Sequence, residues 1–285
     1  MNLSSLVLAL SIATSAAWQP PDYPGYELVW YDGFFGEGGS FPASEIWNII
    51  DGDLGVNNET QVYKTSTRNV QLSGGQTLQL IPWLDSDVPR GWTSGRMEST
   101  YTVAPQPMEL TRVESRLRFG SNPIVTQQGL WPAFWMLGAS YRSGVPWPLC
   151  GEIDIMENVN GNMEGFGTVQ LPDSFLGAAV ALPDRDWHTW RVEIDRRPND
   201  VLDESIIWFL DEEEYHRVRA RDIGNLDTWS RLAHLPMFLI VNMAVGGNWP
   251  GNPSTTTLDG YGSMVEFGYV AHYLSRDPLN ELDII

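Results

Sequence analysis

Polar and apolar residues alternate along residues 187–195: Trp187, Thr189, Arg191 and Glu193 fall on one side, and His188, Trp190, Val192 and Ile194 on the other. A period of two predicts a strand with one apolar and one polar face. Nine further short runs, at residues 26–31, 77–83, 109–119, 129–137, 151–158, 166–171, 205–211, 237–245 and 264–274, are set off by Gly, Pro, Asn and Asp clusters and read as strands. One helix is expected at the surface over residues 222–235, where Ile223, Leu226, Trp229 and Leu232 recur at helical spacing. Ten strands with neither repeat nor linker predict an all-β chain, a large antiparallel β-sandwich, in a single domain over residues 18–285.

The first residues follow a different pattern. Residues 3–13 are apolar and Ser15-Ala16-Ala17 are small, so residues 1–17 read as a secretory signal peptide and the mature protein as extracellular. No later apolar run reaches the ~20 residues of a membrane span, so no membrane partner is expected. Cys150 is the single cysteine and cannot pair within the chain; the 42% hydrophobic content of 285 residues must supply a core without disulfides.

Charge narrows the partners. Asp and Glu number 36 against 17 Lys and Arg, with Lys64 the lone lysine, for a net charge of −19. A nucleic-acid partner is excluded for want of a basic patch, and sulfated or uronic polymers would be repelled, so a large substrate should be neutral. The chain has no GxSxG, GxGxxG, P-loop or HExxH pattern, and its four histidines lie 18 to 38 positions apart. Neither metal nor cofactor is expected, and the chain is expected to act as a monomer.

The candidate chemistry lies in Cys150-Gly151-Glu152-Ile153-Asp154-Ile155-Met156-Glu157-Asn158. In a regular strand Glu152 and Asp154 share a face and Glu157 lies opposite, inside the core. Because burying an unpartnered charge costs several kcal/mol, a β-bulge at Ile155-Met156 is expected to turn Glu157 back beside the other two. Two carboxyls about 5–5.5 Å apart suit retaining glycoside hydrolysis, and Asp154 between them would repel both and help keep Glu157 protonated. The spacing alone fits a calcium-binding or solvated acidic strand equally well. The 13 tryptophans tip the balance: Trp131 and Trp135 share one face of a strand, and Trp249 sits on a Gly-rich turn, as platforms for sugar rings would. Cys150, beside these acids, reads as a buried structural cysteine.

GEIDIMEN, together with GLWPAFWMLG, WPLCGEIDIME, NNETQVY, TSGRMES, DWHTWRVEID and NMAVGGNWPG in that family's order, resembles glycoside hydrolase family 16, the laminarinase-type endo-β-1,3(4)-glucanases with a concanavalin-like jelly roll. The resemblance spans residues 26–273. It implies Glu152 as nucleophile, Glu157 as acid/base and Asp154 as the residue that positions and tunes them. Asn58, Glu59, Arg96, Trp131, Trp135 and Trp249 would line the cleft. Gln170 stands where the family often has histidine and would contact sugar. Gly33 and Gly268 replace acids that often hold a structural calcium, so that site is expected to be absent. The activity implied is secreted, endo-acting, retaining hydrolysis of β-1,3-glucan, with mixed-linked β-1,3-1,4-glucan as a second substrate. A non-catalytic β-glucan-binding module and a glucan transglycosylase remain the alternatives. Asn58-Glu59-Thr60 is also a glycosylation sequon, in tension with a cleft role for Asn58.

Overall fold

A strand covered on both faces needs apolar residues at nearly every position, and residues 130–138 and 237–245 have them. They pair along their full length, as β10 (Leu130–Gly138) and β17 (Met237–Val245), near the centre of a seven-stranded sheet. The computed structural model describes residues 18–278, so residues 1–17, expected from the sequence to be a signal peptide, lie outside the described residues.

The seven-stranded sheet runs in the order β13 (Phe175–Ala181), β12 (Glu164–Gln170), β11 (Glu152–Glu157), β10, β17, β8 (Arg96–Val103), β2 (Trp47–Ile49). An eight-stranded sheet faces it, in the order β16 (Glu213–Arg219), β15 (Ser205–Leu210), β14 (His188–Asp195), β9 (Leu110–Phe119), β18 (Val265–Ser275), β5 (Leu78–Leu80), β4 (Val70–Leu72), with β1 (Glu27–Asp32) also on β18. A small third sheet joins β3 (Gln61–Tyr63), β7 (Trp92–Ser94) and β6 (Trp83–Leu84). The facing sheets enclose one large core that includes Phe134, Met156, Trp190, Trp208, Val241 and Phe267. This is the jelly roll expected from the sequence, and all ten predicted runs contain strand.

Four differences are physical. Arg96–Val103, Phe175–Ala181 and Glu213–Arg219 are strands outside the predicted runs; the first alternates polar residues with buried Met97, Ser99 and Val103, whereas Phe175–Ala181 has no polar residue to mark a face. The predicted helix divides into α1 (Ala220–Ile223) and α2 (Leu226–Ala233) at Gly224, whose φ of 69° leaves the helical region, and Asn225 caps α2 through the Asp227 and Thr228 N–H groups. That helix is also no surface ornament, since Trp229 and Leu232 join the core. Finally, the outer face of β14 is polar but sealed: Arg191 and Glu193 are buried beneath the N-terminal segment, where Tyr23, Tyr26 and Leu28 pack against Tyr269, Ala271 and Tyr273. On the same face the Trp18 ring lies so close to Gly268 that a Cβ there would meet it at 2.4 Å.

Candidate active site

The pairing of β11 with its neighbours breaks at one point. Against β12 it passes from Asp154↔Thr168 to Glu157↔Phe166, and against β10 from Asp154↔Trp135 to Met156↔Phe134. In each case β11 advances one residue further than its partner, which places a bulge at Ile155-Met156. Ile153, Ile155 and Met156 all enter the core, and Glu152, Asp154 and Glu157 all face the concave side. The segment trades ladder regularity for three carboxyls in one row.

Each carboxyl has a distinct set of partners. Glu157 accepts the Trp131 indole N–H at 2.9 Å. Asp154 accepts the Gln170 side-chain amide at 3.1 Å. The Trp147 indole and the Arg96 guanidinium both favour the Glu152 anion. Burial is the first cause that raises all three above the usual carboxylate range, and it pushes Asp154 up to about 7. Repulsion by Asp154, expected from the sequence to keep Glu157 protonated, ranks behind that burial. Three carboxyls in so dry a row share their charge, and their protons leave in steps that belong to the row. At Glu152 the Arg96 guanidinium favours the anion but the charges of Asp154 and Glu157 oppose it more strongly, and at Glu157 the Trp131 indole favours the anion against burial and the Asp154 charge.

The walls are aromatic and amide-rich. Trp135 donates to Asn242 at 2.7 Å and carries the Arg96 guanidinium 5.0 Å above its ring; Arg96 in turn pairs with Glu98 at 2.7 Å. Trp249, 44% exposed, meets Trp131 and Phe166 edge-on, with ring centroids 5.6 and 5.0 Å away. Asn58 and Glu59 lie in the loop beside Trp249, and their polar groups are already engaged. The Asn58 amide donates to Asn248 at 2.7 Å, while the Glu59 carboxylate accepts from Asn57 at 3.1 Å and Gln61 at 2.6 Å. The structure gathers Trp131, Trp135, Arg96 and Gln170 around the acids, ties Asn58 to the Trp249 loop, and sets Glu59 between that loop and the Arg96 guanidinium. Gln170, expected to meet sugar, donates one of its two amide N–H groups to Asp154.

Sequence reasoning passed over Trp147, Phe166 and Asn242. Trp147 stands five residues before Glu152 in the WPLCGEIDIME segment, and that proximity was the available signal; Phe166 and Asn242 come to the site through strand pairing alone. Cys150 is fully buried and its thiol is pushed up to about 11, first by burial and then by the Glu152 charge. Among the described residues no three His, Cys, Asp or Glu side chains are grouped to hold a metal ion.

The model of the XgeA-like catalytic domain of glycoside hydrolase family 16 matches residues 112–169, which include the carboxylate strand. A beta-glucanase of Rhodothermus marinus is 32% identical over 242 residues, covering 80% of this chain and 78% of that protein. Among solved structures, the endo-1,3-beta-glucanase from Streptomyces sioyaensis aligns with a TM-score of 0.83 at 31% identity, covering 90% of this chain and 99% of that one. The endo-beta-1,3-glucanase from Pyrococcus furiosus aligns with a TM-score of 0.72 at 29% identity, covering 87% and 94%.

Proposed function

The chain belongs to glycoside hydrolase family 16, and from that membership we propose that it is a secreted endo-β-1,3-glucanase that hydrolyses with retention and also accepts mixed-linked β-1,3-1,4-glucan. The observation that carries the reading is the bulge of β11, which turns Glu152, Asp154 and Glu157 onto one face between Trp131, Trp135 and Trp147. The relatives named for β-1,3-glucan cleavage support the linkage, and the acidic field supports a neutral polymer.

In this scheme the Glu152 carboxylate attacks the anomeric carbon while Glu157 gives its proton to the departing glycosidic oxygen. A covalent glycosyl ester on Glu152 results. Glu157, now ionised, takes a proton from water, whose oxygen attacks the same carbon and frees Glu152. Asp154, held by Gln170, sits between them and couples their charges. The removal of residues 1–17 as a signal, with a single catalytic domain following, completes the proposal.

The test is digestion of a linear, neutral β-1,3-glucan by the mature protein, with oligosaccharides followed by chromatography and the new anomeric centre by NMR. Early oligomers of mixed length with the β-anomer first support endo-hydrolysis with retention. Retention on the polymer without release would instead identify a binding module, and products longer than the starting chains a transglycosylase.

A further inference from the structure

Beneath the carboxylate strand a polar contact joins the two sheets through the core, as Tyr101 with His272 and Trp47 with Asp32 do elsewhere. The Trp208 indole N–H, on β15 of the opposite sheet, donates to the Asp154 backbone carbonyl at 2.8 Å, and the residue has no exposed surface. Asp154 is the residue at which β11 loses register with both neighbours. Trp208 itself marks a second break: pairing of β15 with β16 passes from Trp208↔His216 to Phe209↔Glu214, with Tyr215 the extra residue. Each sheet thus carries a bulge, and the hydrogen bond connects them.

The packing is built around this contact. On β12, a Cβ at Gly167 would lie 2.3 Å from Trp208 Cδ1 and 2.5 Å from the Tyr215 hydroxyl, so the strand accepts a glycine, unfavourable in its interior, to let the indole through. The His216 ring packs against the other side of Trp208 at 4.9 Å. A carbonyl buried without a donor is costly, so the indole does more than fill space.

We propose that Trp208 is a positioning residue for the row of acids: by holding the Asp154 carbonyl it fixes how far the bulge rotates Glu157 toward Asp154 and Glu152. The proposal rests on the hydrolase reading for its consequence in turnover, but its geometric content does not. The titratable groups around the contact are Asp154, Glu152 and Glu157 on β11, and Tyr215 and His216 on β16; Gln170 on β12 adds its amide.

The test compares the wild type with Trp208→Phe and with a variant carrying benzothienylalanine at position 208, which keeps the ring volume and removes only the N–H. Side-chain carboxyl titrations by carbon NMR and steady-state kinetics on β-1,3-glucan are read on all three. The expected result is a shift of the Asp154 and Glu157 titrations by about half a pH unit or more in both variants, with kcat reduced about 10- to 100-fold and KM within about threefold. Gly167→Ala, which pushes on the same indole, should reproduce this signature. Should Trp208→Phe fail to fold, the benzothienylalanine variant decides. Titrations within about 0.2 pH units of wild type would overturn the proposal, as would kcat within about twofold of an active wild type. A wild type inactive on glucan would instead defeat the hydrolase reading, and the titrations alone would then decide the role of Trp208.

Discussion

Carboxylates are buried on the outer face of both sheets, and the two faces treat them in opposite ways. On the convex side Glu193 receives Arg112 at 2.8 Å, Arg191 at 3.3 Å and the Tyr26 hydroxyl at 3.3 Å. Its neighbour Glu114 accepts the hydroxyls of Tyr269 and Tyr23 at 2.7 and 3.1 Å, and Tyr23 and Tyr26 close over the Arg112 guanidinium. Around the concave row the donors are mostly neutral indoles and an amide, and the one nearby guanidinium, Arg96, is itself paired with Glu98. Glu193 is met by full charges, whereas the concave acids are met mostly by neutral donors; burial lifts those acids, and Glu114 with them, above the usual carboxylate range.

Substitutions on each face should separate these roles. The largest effect is expected from Glu152→Gln or Glu157→Gln, with kcat lowered about 10³- to 10⁵-fold while the protein still binds glucan and keeps its melting temperature. Next comes Glu193→Ala, which takes from buried Arg112 its ion-pair partner and leaves Arg191 with Glu212 alone: denaturant unfolding should show a loss of about 3–5 kcal/mol, with activity per folded molecule unchanged. A kinetic defect in this variant under folding conditions would show the faces to be coupled and break the contrast.

Asp154→Asn tests the middle of the row. Because burial pushes Asp154 up to about 7 in the folded chain, from about 4 when unfolded, a proton held by the row stabilises the fold below about pH 4, and that stability is lost as pH rises through 7. The variant should flatten the fall in melting temperature over that window and lower kcat about tenfold or more; an unaltered pH–stability curve would count against a raised Asp154. Trp131→Phe removes a donor that favours the Glu157 anion, so the alkaline limb of kcat/KM should move up by about half a pH unit. Smallest of all, Tyr23→Phe should cost about 1 kcal/mol of stability and leave the pH–rate profile in place.

The contrast was only half visible in the sequence. GEIDIME stood out because three charges interrupt a β-branched run, and the cost of burying Glu157 was enough to infer the bulge that the structure contains. The partners of those acids were less accessible. Trp147 reaches Glu152 from the segment between β10 and β11, and Trp208 reaches Asp154 from the other sheet, 54 positions along the chain. Contacts of that kind depend on how sheets stack, which no local periodicity encodes. Likewise alternation predicts a polar face at Arg191 and Glu193, and nothing in it announces the tyrosines that cover that face. The edge strand Phe175–Ala181 is bounded by Pro172-Asp173-Ser174 and Pro183-Asp184 but contains no polar residue, so no alternation marks its faces.

The burial of Cys150 has a practical side. With its thiol pushed up to about 11 and shielded from solvent, the chain's one native cysteine is sluggish toward maleimides and iodoacetamides at neutral pH. A cysteine introduced at Phe175, 67% exposed on β13 opposite Gln170, would therefore be the single fast-reacting handle, ready for a fluorophore at the rim of the cleft without first deleting a natural thiol.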